Sequence, residues 1–472
     1  MLTGRTTETA MLENAFKDDR SHFIAVYGRR RIGKTYLIRE TFGDRFAFQH
    51  AGIADGTLKE QLFAFGISLK KAGYSFEPKA KNWLEMFEHL KRLIENSTEK
   101  RKIVFIDELS WMDTRRCDLM VALEHFWNAW ASARKDIILI VCSSATSWVL
   151  SKIIHNKGGL YNRLTVQIHL HSFSLRDCEA YVKEKGLIFT RDQILHCYMI
   201  FGGVPFYWSL LEKGQSHIQN IDRLLFSKNA PLKNEFRYLF SSVFRNPTVH
   251  LQIIQTLAEK KAGMTREELI DASGIENSGD LTLKLEELEN CDFIRKYYPY
   301  GNKKKNALYQ LTDCFTLFYY RFMKRPTTDV HFWTNHINTP AVNTWKGLSF
   351  ERVCLSHVEQ MKQKLGISGV YTEVQSWYCK ADPDKGLFGS QIDLMLVRKD
   401  QVINLCEMKY AESEYTVTKR TDESIRRKIH DLVTATHTKY AVHPTLVTCY
   451  GLLDNAYAGN MQSVIVLDDL FL

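Results

Sequence analysis

The sequence has few prolines and no pairing pattern among its cysteines. Nine prolines are spread over 472 residues, and no Pro/Gly/Ser-rich linker, low-complexity tract or internal repeat marks a domain boundary. The ten cysteines include no C-x-x-C pair, which argues against a zinc site or a disulfide framework and favours free thiols in a reducing compartment. No stretch approaches the roughly 18 apolar residues that span a bilayer, and the first residues lack the apolar core of a signal peptide. We therefore expect a cytoplasmic protein with no membrane partner.

A large excess of one charge is also missing. Lysine and arginine number 63 against 54 aspartate and glutamate residues, so the net charge is only +9. This excess permits an anionic partner but is far below that of a polycationic chain. With 45% hydrophobic and 25% charged residues, the composition is that of a globular protein and excludes a disordered or fibrous one. The length alone predicts about three domains.

The pattern of apolar residues changes along the chain and indicates four units. Residues 1–165 alternate short apolar runs with helical patterns, which is typical of βαβ units around a parallel sheet. Residues 166–240 have a helical pattern and suit a small lid. Residues 241–325 have the order of a winged helix-turn-helix, with three helices before a hairpin. Residues 345–472 mix helices with strands near 390–409. We therefore predict an α/β protein with a parallel sheet, a helical lid, a winged helix and a second α/β domain.

A glycine-containing segment after the apolar run 23–27 matches the phosphate-loop pattern G-x-x-x-x-G-K-[ST]. Its glycines let backbone N–H groups point at phosphate oxygens, and the following helix adds its positive end. Lys34 would reach the β and γ phosphates, while Thr35 would bind Mg²⁺ through its hydroxyl. Solvated positions remain an alternative for the three loop arginines. We predict ATP and Mg²⁺ as ligands of a segment comprising Gly28, Arg29, Arg30, Arg31, Ile32, Gly33, Lys34, Thr35 and Tyr36.

Two carboxylates follow another apolar run, at residues 103–106. In a P-loop enzyme the first, Asp107, would hold the Mg²⁺ shell. The second, Glu108, would orient and polarise the attacking water, which turns nucleotide binding into hydrolysis. The pair therefore predicts an ATP hydrolase.

The amino-terminal half resembles the archaeal-type P-loop ATPases of the AAA+/STAND group. Beyond the phosphate loop and the Asp-Glu pair, the resemblance rests on three short segments: Gly4-Arg5-x-x-Glu8, Leu160-Tyr161-Asn162-Arg163 and Gly202-Gly203-Val204-Pro205. It implies that Gly4 and Arg5 lie on the adenine side of the nucleotide, and that Pro205 belongs to a turn through which the lid touches it. An ordinary helix-breaking turn is the alternative for Pro205.

The resemblance also implies a sensor of the γ-phosphate and an arginine at the transferred phosphoryl group. The apolar run that ends at Val141 is followed by Ser143 and Ser144, and either could be the sensor; simple capping of the strand end is the alternative. Arg163 would stabilise the spread-out charge of the phosphoryl oxygens with its planar fork of donors. A structural salt bridge is the competing interpretation for Arg163.

The carboxy-terminal domain contains a second group of chemically active residues. Asp393 lies in one predicted strand, and Glu407 and Lys409 lie in the next. Alternation along a strand places Glu407 and Lys409 on one face, beside Asp393 across the hairpin. Carboxylates so arranged can hold a divalent metal while the lysine positions a water. The pattern is typical of the PD-(D/E)xK nuclease-like fold, whose helical acid is matched by Glu351. We predict a second divalent metal site formed by Asp393, Glu407 and Glu351, with Lys409 as its catalytic lysine.

Two basic segments make DNA a candidate partner. The first accompanies the nuclease-like site and contains Lys419, Arg420, Arg426, Arg427 and Lys428; phosphate backbone is its natural complement. The second is the wing, Lys303-Lys304-Lys305, with Tyr297, Tyr298 and Tyr300 nearby. The expected recognition helix, Leu281 to Asn290, carries Glu286, Glu287 and Glu289 against Lys284 alone and would repel phosphates. We therefore favour a packing role for the winged helix, with wing–phosphate contact as the alternative.

Two functions follow from these patterns. The first is an ATPase coupled to a DNA-directed nuclease-like domain that requires a divalent metal. The second is a nucleotide-switched regulatory ATPase whose carboxy-terminal domain is inactive and only binds DNA or protein. A helicase-like motor is disfavoured because the chain has a single phosphate loop. A protein partner or a homo-oligomer is compatible with both functions, and Arg163 could act on its own or a neighbouring nucleotide.

Overall fold

The computed structural model describes residues 2–241, 243–244, 246–301 and 307–472. These residues form two compact units. The first consists of Met1–Ser172 with Ser241–Arg245, and the second of Phe173–Phe240 with Asn246–Leu472. No helix in the described part of the chain has the length and apolar character needed to cross a membrane.

The first unit is an α/β domain whose strands alternate with helices along the chain. Its strands are β1 (His22–Tyr27), β2 (Phe46–Ala51), β3 (Lys102–Asp107), β4 (Ile137–Ser143) and β5 (Val166–His169). Its helices are α1 (Thr6–Lys17), α2 (Lys34–Phe42), α3 (Leu58–Lys71), α4 (Trp83–Glu95), α5 (Leu109–Met112), α6 (Leu119–Ala129) and α7 (Thr146–Val149).

The five strands form one parallel sheet in the order β2-β3-β4-β1-β5. Alternate residues of the central strands enter two different hydrophobic clusters: Phe23 and Val104 belong to one, and Ile24 and Phe105 to the other. Both faces are therefore covered, as continuous apolar runs require. The predicted α/β fold with a parallel sheet is confirmed, and strand β4 lies between β1 and β3.

One assignment from the sequence pattern is wrong. The pattern predicts helical structure from residue 166 onward, whereas Val166–His169 is a strand that pairs with β1. Only Ile168 of its four residues is fully buried, because the strand lies at an edge of the sheet. A short half-exposed strand lacks the apolar run that identified the central strands.

Five α-helices lie between residues 173 and 241. They are α8 (Leu175–Glu184), α9 (Arg191–Phe201), α10 (Pro205–Ser209), α11 (His217–Ile221) and α12 (Glu235–Ser241). Ser174 and Thr190 cap the first two with reciprocal side-chain and backbone hydrogen bonds, which is the capping box expected at a helix start. The predicted helical segment is otherwise present.

The next part of the chain has the order expected for a winged helix. It contains α13 (Thr248–Glu259), β6 (Met264–Thr265), α14 (Arg266–Ser273), α15 (Gly279–Asn290), β7 (Ile294–Tyr297) and β8 (Leu308–Leu311). The strands form a three-stranded antiparallel sheet in the order β6-β8-β7. The predicted wing lysines, Lys303-Lys304-Lys305, lie outside the described residues.

The carboxy-terminal part of the second unit contains a second five-stranded sheet. Its elements are α16 (Cys314–Phe318), α17 (Phe332–His336), α18 (Pro340–Ser356), α19 (Val358–Lys364), β9 (Thr372–Cys379), β10 (Ser390–Arg398), β11 (Val402–Lys409), α20 (Lys419–Thr436), β12 (Ala441–Thr448) and β13 (Ser463–Ile465). The strand order is β13-β12-β11-β10-β9. The first three strands of that order are parallel to one another, and β10 is antiparallel to both of its neighbours.

The single helix predicted from Gly347 to Gln363 is interrupted at His357. This buried residue accepts a hydrogen bond from the backbone N–H of Leu175 at Nε2, 3.0 Å away, while Nδ1 lies 2.8 Å from the carbonyl of Val353. Burial lowers the pKa of His357 to about 4, so the ring is neutral and can accept one bond and donate the other. The two side-chain bonds stabilise the break between α18 and α19.

Candidate functional site

The glycine-containing loop joins β1 to α2 and has left-handed backbone at both glycines. Gly28 has φ +141° and Gly33 has φ +89°, conformations that glycine adopts without a Cβ penalty. A Cβ on Gly28 would also lie 2.3 Å from the carbonyl oxygen of Leu170. Only glycine therefore allows the first turn of the loop, and α2 then begins at Lys34.

The side chain of Lys34 is buried inside the loop. Its Nζ donates hydrogen bonds to the carbonyl oxygens of Gly28 and Arg29, at 2.8 and 2.9 Å, and to Oγ of Ser144 at 3.0 Å. The ammonium group is thus held at the centre of the loop and does not extend into solvent. This position suits a cation that is to contact phosphate oxygens.

The adjacent hydroxyl and carboxylate are also in contact. Oγ1 of Thr35 donates to Oδ2 of Asp107 at 2.7 Å, and the other carboxylate oxygen accepts from the N–H of Glu108 at 3.0 Å. A hydroxyl and a carboxylate are hard oxygen donors of the kind that Mg²⁺ prefers. The two predicted Mg²⁺ donors therefore lie in contact, and metal binding by them stays a prediction.

Glu108 is held in an unusual conformation beside Ser144. Its backbone has φ +46°, which is uncommon outside glycine and often marks a functional residue. Its carboxylate accepts hydrogen bonds from Oγ and N–H of Ser144, at 2.5 and 3.0 Å. Ser144 therefore links Lys34 to Glu108.

The neighbouring Ser143 has a different set of contacts. Its Oγ donates to Oγ of Ser110 at 2.7 Å and accepts from the N–H of Ala145 at 3.1 Å. Because β4 lies between β1 and β3, its end is close to both Lys34 and Glu108. Of the two serines, Ser144 contacts both Lys34 and Glu108, and its role as the γ-phosphate sensor stays a prediction.

Arg5 braces the phosphate loop. The side chain is buried, and its Nη2 donates to the carbonyl of Ile32 at 3.1 Å and to that of His171 at 2.8 Å. Gly4 has φ +66° and forms the turn before α1. Adenine contact by Gly4 and Arg5 stays a prediction, while the contact of Arg5 with the loop backbone is direct.

The other predicted nucleotide-binding residues differ in burial. Ile32 is fully buried, Arg29 is buried, Arg30 and Arg31 are half-buried, and Tyr36 is exposed.

Arg163 is exposed and forms no ion pair with any residue that the structure describes, so the salt-bridge interpretation receives no support there. Pro205 is the first residue of α10 in the second unit.

The carboxy-terminal residues predicted to act together line one pocket. Glu351 comes from α18, Asp393 from β10, and Glu407 and Lys409 from β11. The pairing of β9 with β10 shifts between Ile392 and Met395, and such an irregularity re-aims a side chain. Asp393 lies at that shift, and its Oδ1 accepts from Nε2 of Gln391 at 2.7 Å.

Ammonium groups already contact two of these carboxylates. Glu407 pairs with Lys409 at 2.8 Å and with Lys428 at 2.7 Å, while Glu351 pairs with Lys261 at 2.7 Å. Burial opposes ionisation of Glu407, but its two lysines outweigh that effect and lower its pKa. Burial raises the pKa of Glu351 despite the hydrogen bond from Lys261. The pocket therefore combines acids with lysines.

Lys261 was not predicted from the sequence. It lies in the turn after α13, 90 positions before its partner, and belongs to a Lys260-Lys261 pair without a recognisable motif. The only local signal was a charged turn in the winged helix. The contact of Lys261 with Glu351 depends on tertiary structure.

Some of the cationic side chains of the basic helix α20 line the pocket. Arg427 and Lys428 line the pocket, whereas Arg426 pairs with Asp422 at 2.8 Å. The guanidinium of Arg427 also lies 6.0 Å from the ring centre of Phe388, an exposed aromatic residue. Of the remaining predicted cations, Lys419 and Arg420 are exposed.

Two of the tyrosines near the wing, Tyr297 and Tyr300, make packing contacts. Tyr300 contacts the hydrophobic core of the carboxy-terminal sheet, and its N–H donates to the carbonyl of Ser376 at 2.8 Å. Tyr297 donates its hydroxyl to the carbonyl of Ala262. On the acidic helix α15, Glu287 binds His250 at 2.7 Å. These contacts agree with a packing role for the winged helix.

Comparison with known proteins supports an ATPase domain in the amino-terminal part of the chain. Residues 2–211 match the family model of an ATPase domain predominantly from Archaea. An uncharacterized protein of Methanocaldococcus jannaschii is 22% identical over 442 residues, which cover 91% of this chain and 92% of that protein. The family match supports an ATPase domain of the archaeal P-loop type, which uses nucleotide and usually Mg²⁺.

Two solved structures are similar to a large part of the chain. The Walker-type ATPase of Pyrococcus abyssi has a TM-score of 0.48 at 16% identity, covering 68% of this chain and 96% of its own. The ORC2 protein of Aeropyrum pernix has a TM-score of 0.41 at 15% identity, covering 76% and 96%.

Proposed function

We propose that this protein hydrolyses ATP at the phosphate loop and that the nucleotide state governs a DNA-directed, metal-dependent carboxy-terminal domain. The observation that carries the ATPase proposal is the hydrogen-bonded set in which Ser144 joins Lys34 to Glu108. A phosphate-binding lysine, a γ-phosphate sensor and the carboxylate for the attacking water are thereby adjacent. Such preorganisation places charge where the transition state needs it.

Each residue of this set has a distinct proposed role. Lys34 contacts the β and γ phosphates, Thr35 and Asp107 hold Mg²⁺, and Glu108 orients and polarises the water. Arg163, exposed near the end of the first unit, stabilises charge on the phosphoryl group of its own or a neighbouring subunit. Bound Mg²⁺ would supply charge neutralisation at the phosphates.

Nucleotide binding tests this assignment directly. Lys34→Ala removes the buried ammonium group and should abolish binding of a fluorescent ATP analogue. Lys59→Ala removes an exposed lysine of α3 and should bind the analogue like the wild type. Equal affinity of the Lys34→Ala protein and the wild type would contradict the proposed loop.

Three carboxylates line the carboxy-terminal pocket, and we propose them as the donors to a divalent metal. Glu351, Asp393 and Glu407 supply hard carboxylate oxygens, and Oε2 of Glu351 is buried without a hydrogen bond to any described residue. A divalent cation there would polarise a phosphodiester and a water. Lys409 would orient that water, and Arg427 and Lys428 would contact the phosphate backbone.

DNA cleavage tests the pocket. Supercoiled and linear DNA are incubated with the full-length protein, Mg²⁺ or Mn²⁺, and ATP. Cleavage should be lost in Asp393→Ala and retained in Asp400→Ala, because Asp400 lies in the following turn and binds Arg398. Cleavage by both variants would place the reaction elsewhere or in a contaminant.

A second candidate function is a nucleotide-switched regulatory ATPase with an inactive carboxy-terminal domain. It is favoured by the three lysines that contact Glu351 and Glu407, since ammonium groups can replace a metal as counter-ions. On this alternative the wild type leaves DNA intact with either metal, while ATP still changes its affinity for DNA or a protein partner. A metal-dependent cut abolished by Asp393→Ala would exclude it.

A further inference from the structure

The winged helix contributes a charged side chain to the carboxy-terminal pocket. Nζ of Lys261 lies 2.7 Å from Oε1 of Glu351, and Lys261 lines the pocket together with Ala262. The side chain of Lys261 is 42% exposed, whereas that of Glu351 is 11% exposed. The partly exposed lysine therefore pairs with a carboxylate that is almost closed to solvent.

The backbone of Lys261 is fixed while its side chain can rotate. Its carbonyl oxygen accepts hydrogen bonds from Nη2 of Arg352 at 2.6 Å and from Nε2 of Gln310 at 2.7 Å. Two positions later, Gly263 has φ +80°, and a Cβ there would lie 2.6 Å from the carbonyl of Tyr309. The turn thus has a defined place, and the four-carbon stem of Lys261 can still move its ammonium group.

The ammonium group of Lys261 and a divalent metal would both draw on the negative charge of the Glu351 carboxylate. The other oxygen, Oε2, is buried with no hydrogen-bond partner among the described residues, and Glu407 is paired with Lys409 and Lys428. A divalent cation bound to either oxygen of Glu351 would lie close to the ammonium group of Lys261, and repulsion between the two cations favours its displacement. The displaced group remains tethered beside the pocket.

We propose that Lys261 is a tethered counter-ion that competes with a divalent cation for Glu351, so that the winged helix sets the metal affinity of the pocket. This inference rests on the proposed metal site. Loss of a partly exposed charge-assisted hydrogen bond should change the affinity by roughly ten-fold.

Calorimetric titration of the full-length protein with Mn²⁺, without nucleotide, tests this proposal. Lys261→Met keeps the apolar stem and removes the charge, and it should bind Mn²⁺ about ten-fold more tightly than the wild type. Lys261→Arg keeps the charge and should stay near the wild type. Lys260→Met is the matched control, because Lys260 has the same exposure and pairs with Glu268 outside the pocket. The heat of Mn²⁺ binding that is lost in Asp393→Asn is the part of the signal that comes from the pocket.

The outcomes separate this proposal from the metal site itself. Equal or weaker Mn²⁺ binding by Lys261→Met, with a measurable signal that depends on Asp393, overturns the competition alone. A gain of the same size in Lys260→Met also overturns it, since the effect would then come from net charge. No binding that depends on Asp393, in either the wild type or Lys261→Met, overturns the proposed metal site and the competition together.

Discussion

Ser144 connects the two halves of the proposed ATPase mechanism at the level of single residues. Its hydroxyl lies within hydrogen-bond distance of both Lys34 and Glu108, whereas Ser143 contacts Ser110. The sequence predicted that one of the two serines acts, and could not distinguish them because both follow the same strand. The choice depends on which side chain lies between Lys34 and Glu108, and this is visible only in three dimensions.

Substitution of the two serines should have unequal effects. Ser144→Ala removes a hydrogen bond to each of two charged groups, and we expect kcat for ATP hydrolysis to fall about ten-fold or more. Ser143→Ala should leave kcat within a few-fold of the wild type. Steady-state hydrolysis assays at saturating ATP would check both. A larger loss in Ser143→Ala would reverse the assignment.

The role of Lys261, in contrast, could not be predicted from the sequence. The residues of the phosphate loop are contiguous, so their chemistry is encoded in one short pattern. Lys261 and Glu351 are 90 positions apart, and neither has a pattern that names the other. Only the packing of the winged-helix turn against Arg352 brings them together.

Strand order and glycine packing are properties of whole elements. The sequence correctly predicted a parallel sheet from continuous apolar runs, but it did not predict that β4 lies between β1 and β3. That order depends on tertiary packing, since all the central strands have similar apolar composition. The edge strand β5 was missed because half of its surface faces solvent.

Gly203, in the segment before α10, is in close backbone contact with Phe173, in the segment before α8. Its carbonyl accepts the N–H of Phe173 at 2.7 Å, and a Cβ would lie 1.8 Å from the carbonyl oxygen of Phe173. Gly203→Ala should therefore lower the free energy of unfolding by about 1–3 kcal/mol. Gly347→Ala, in α18 with open space around it, should raise it by about 0.5–1 kcal/mol. Urea denaturation would check both signs, and a neutral Gly203→Ala would contradict the close approach.

Charge placement is a property of the whole molecule. The net charge of +9 did not identify a partner, but the structure sorts the cations into distinct environments. Lys34 is buried in the phosphate loop, Arg426 is paired with Asp422, and Arg427 lines the carboxy-terminal pocket. The sequence predicted the basic segment at 419–428 as a unit, and the helical phase decides which of its members face the pocket.

Adjacent arginines of α20 should therefore differ in DNA binding. Arg427→Ala should weaken DNA binding and reduce the slope of log affinity against log salt by about 1, as expected for the loss of one phosphate contact. Arg426→Ala should change neither quantity substantially. Fluorescence anisotropy over a range of salt concentrations would measure both. Equal effects of the two substitutions would indicate a diffuse charge effect and not a pocket contact.

The central claim is that Glu108 converts bound ATP to ADP and phosphate in a site organised by Lys34 and Ser144. Single-turnover hydrolysis by Glu108→Gln, with ATP affinity measured on the same sample, tests it most directly. The amide can still accept from the N–H of Ser144, so binding should be retained, while hydrolysis should fall by at least about 100-fold because the amide is not a base. Hydrolysis at the wild-type rate by a variant that binds ATP normally would contradict the claim.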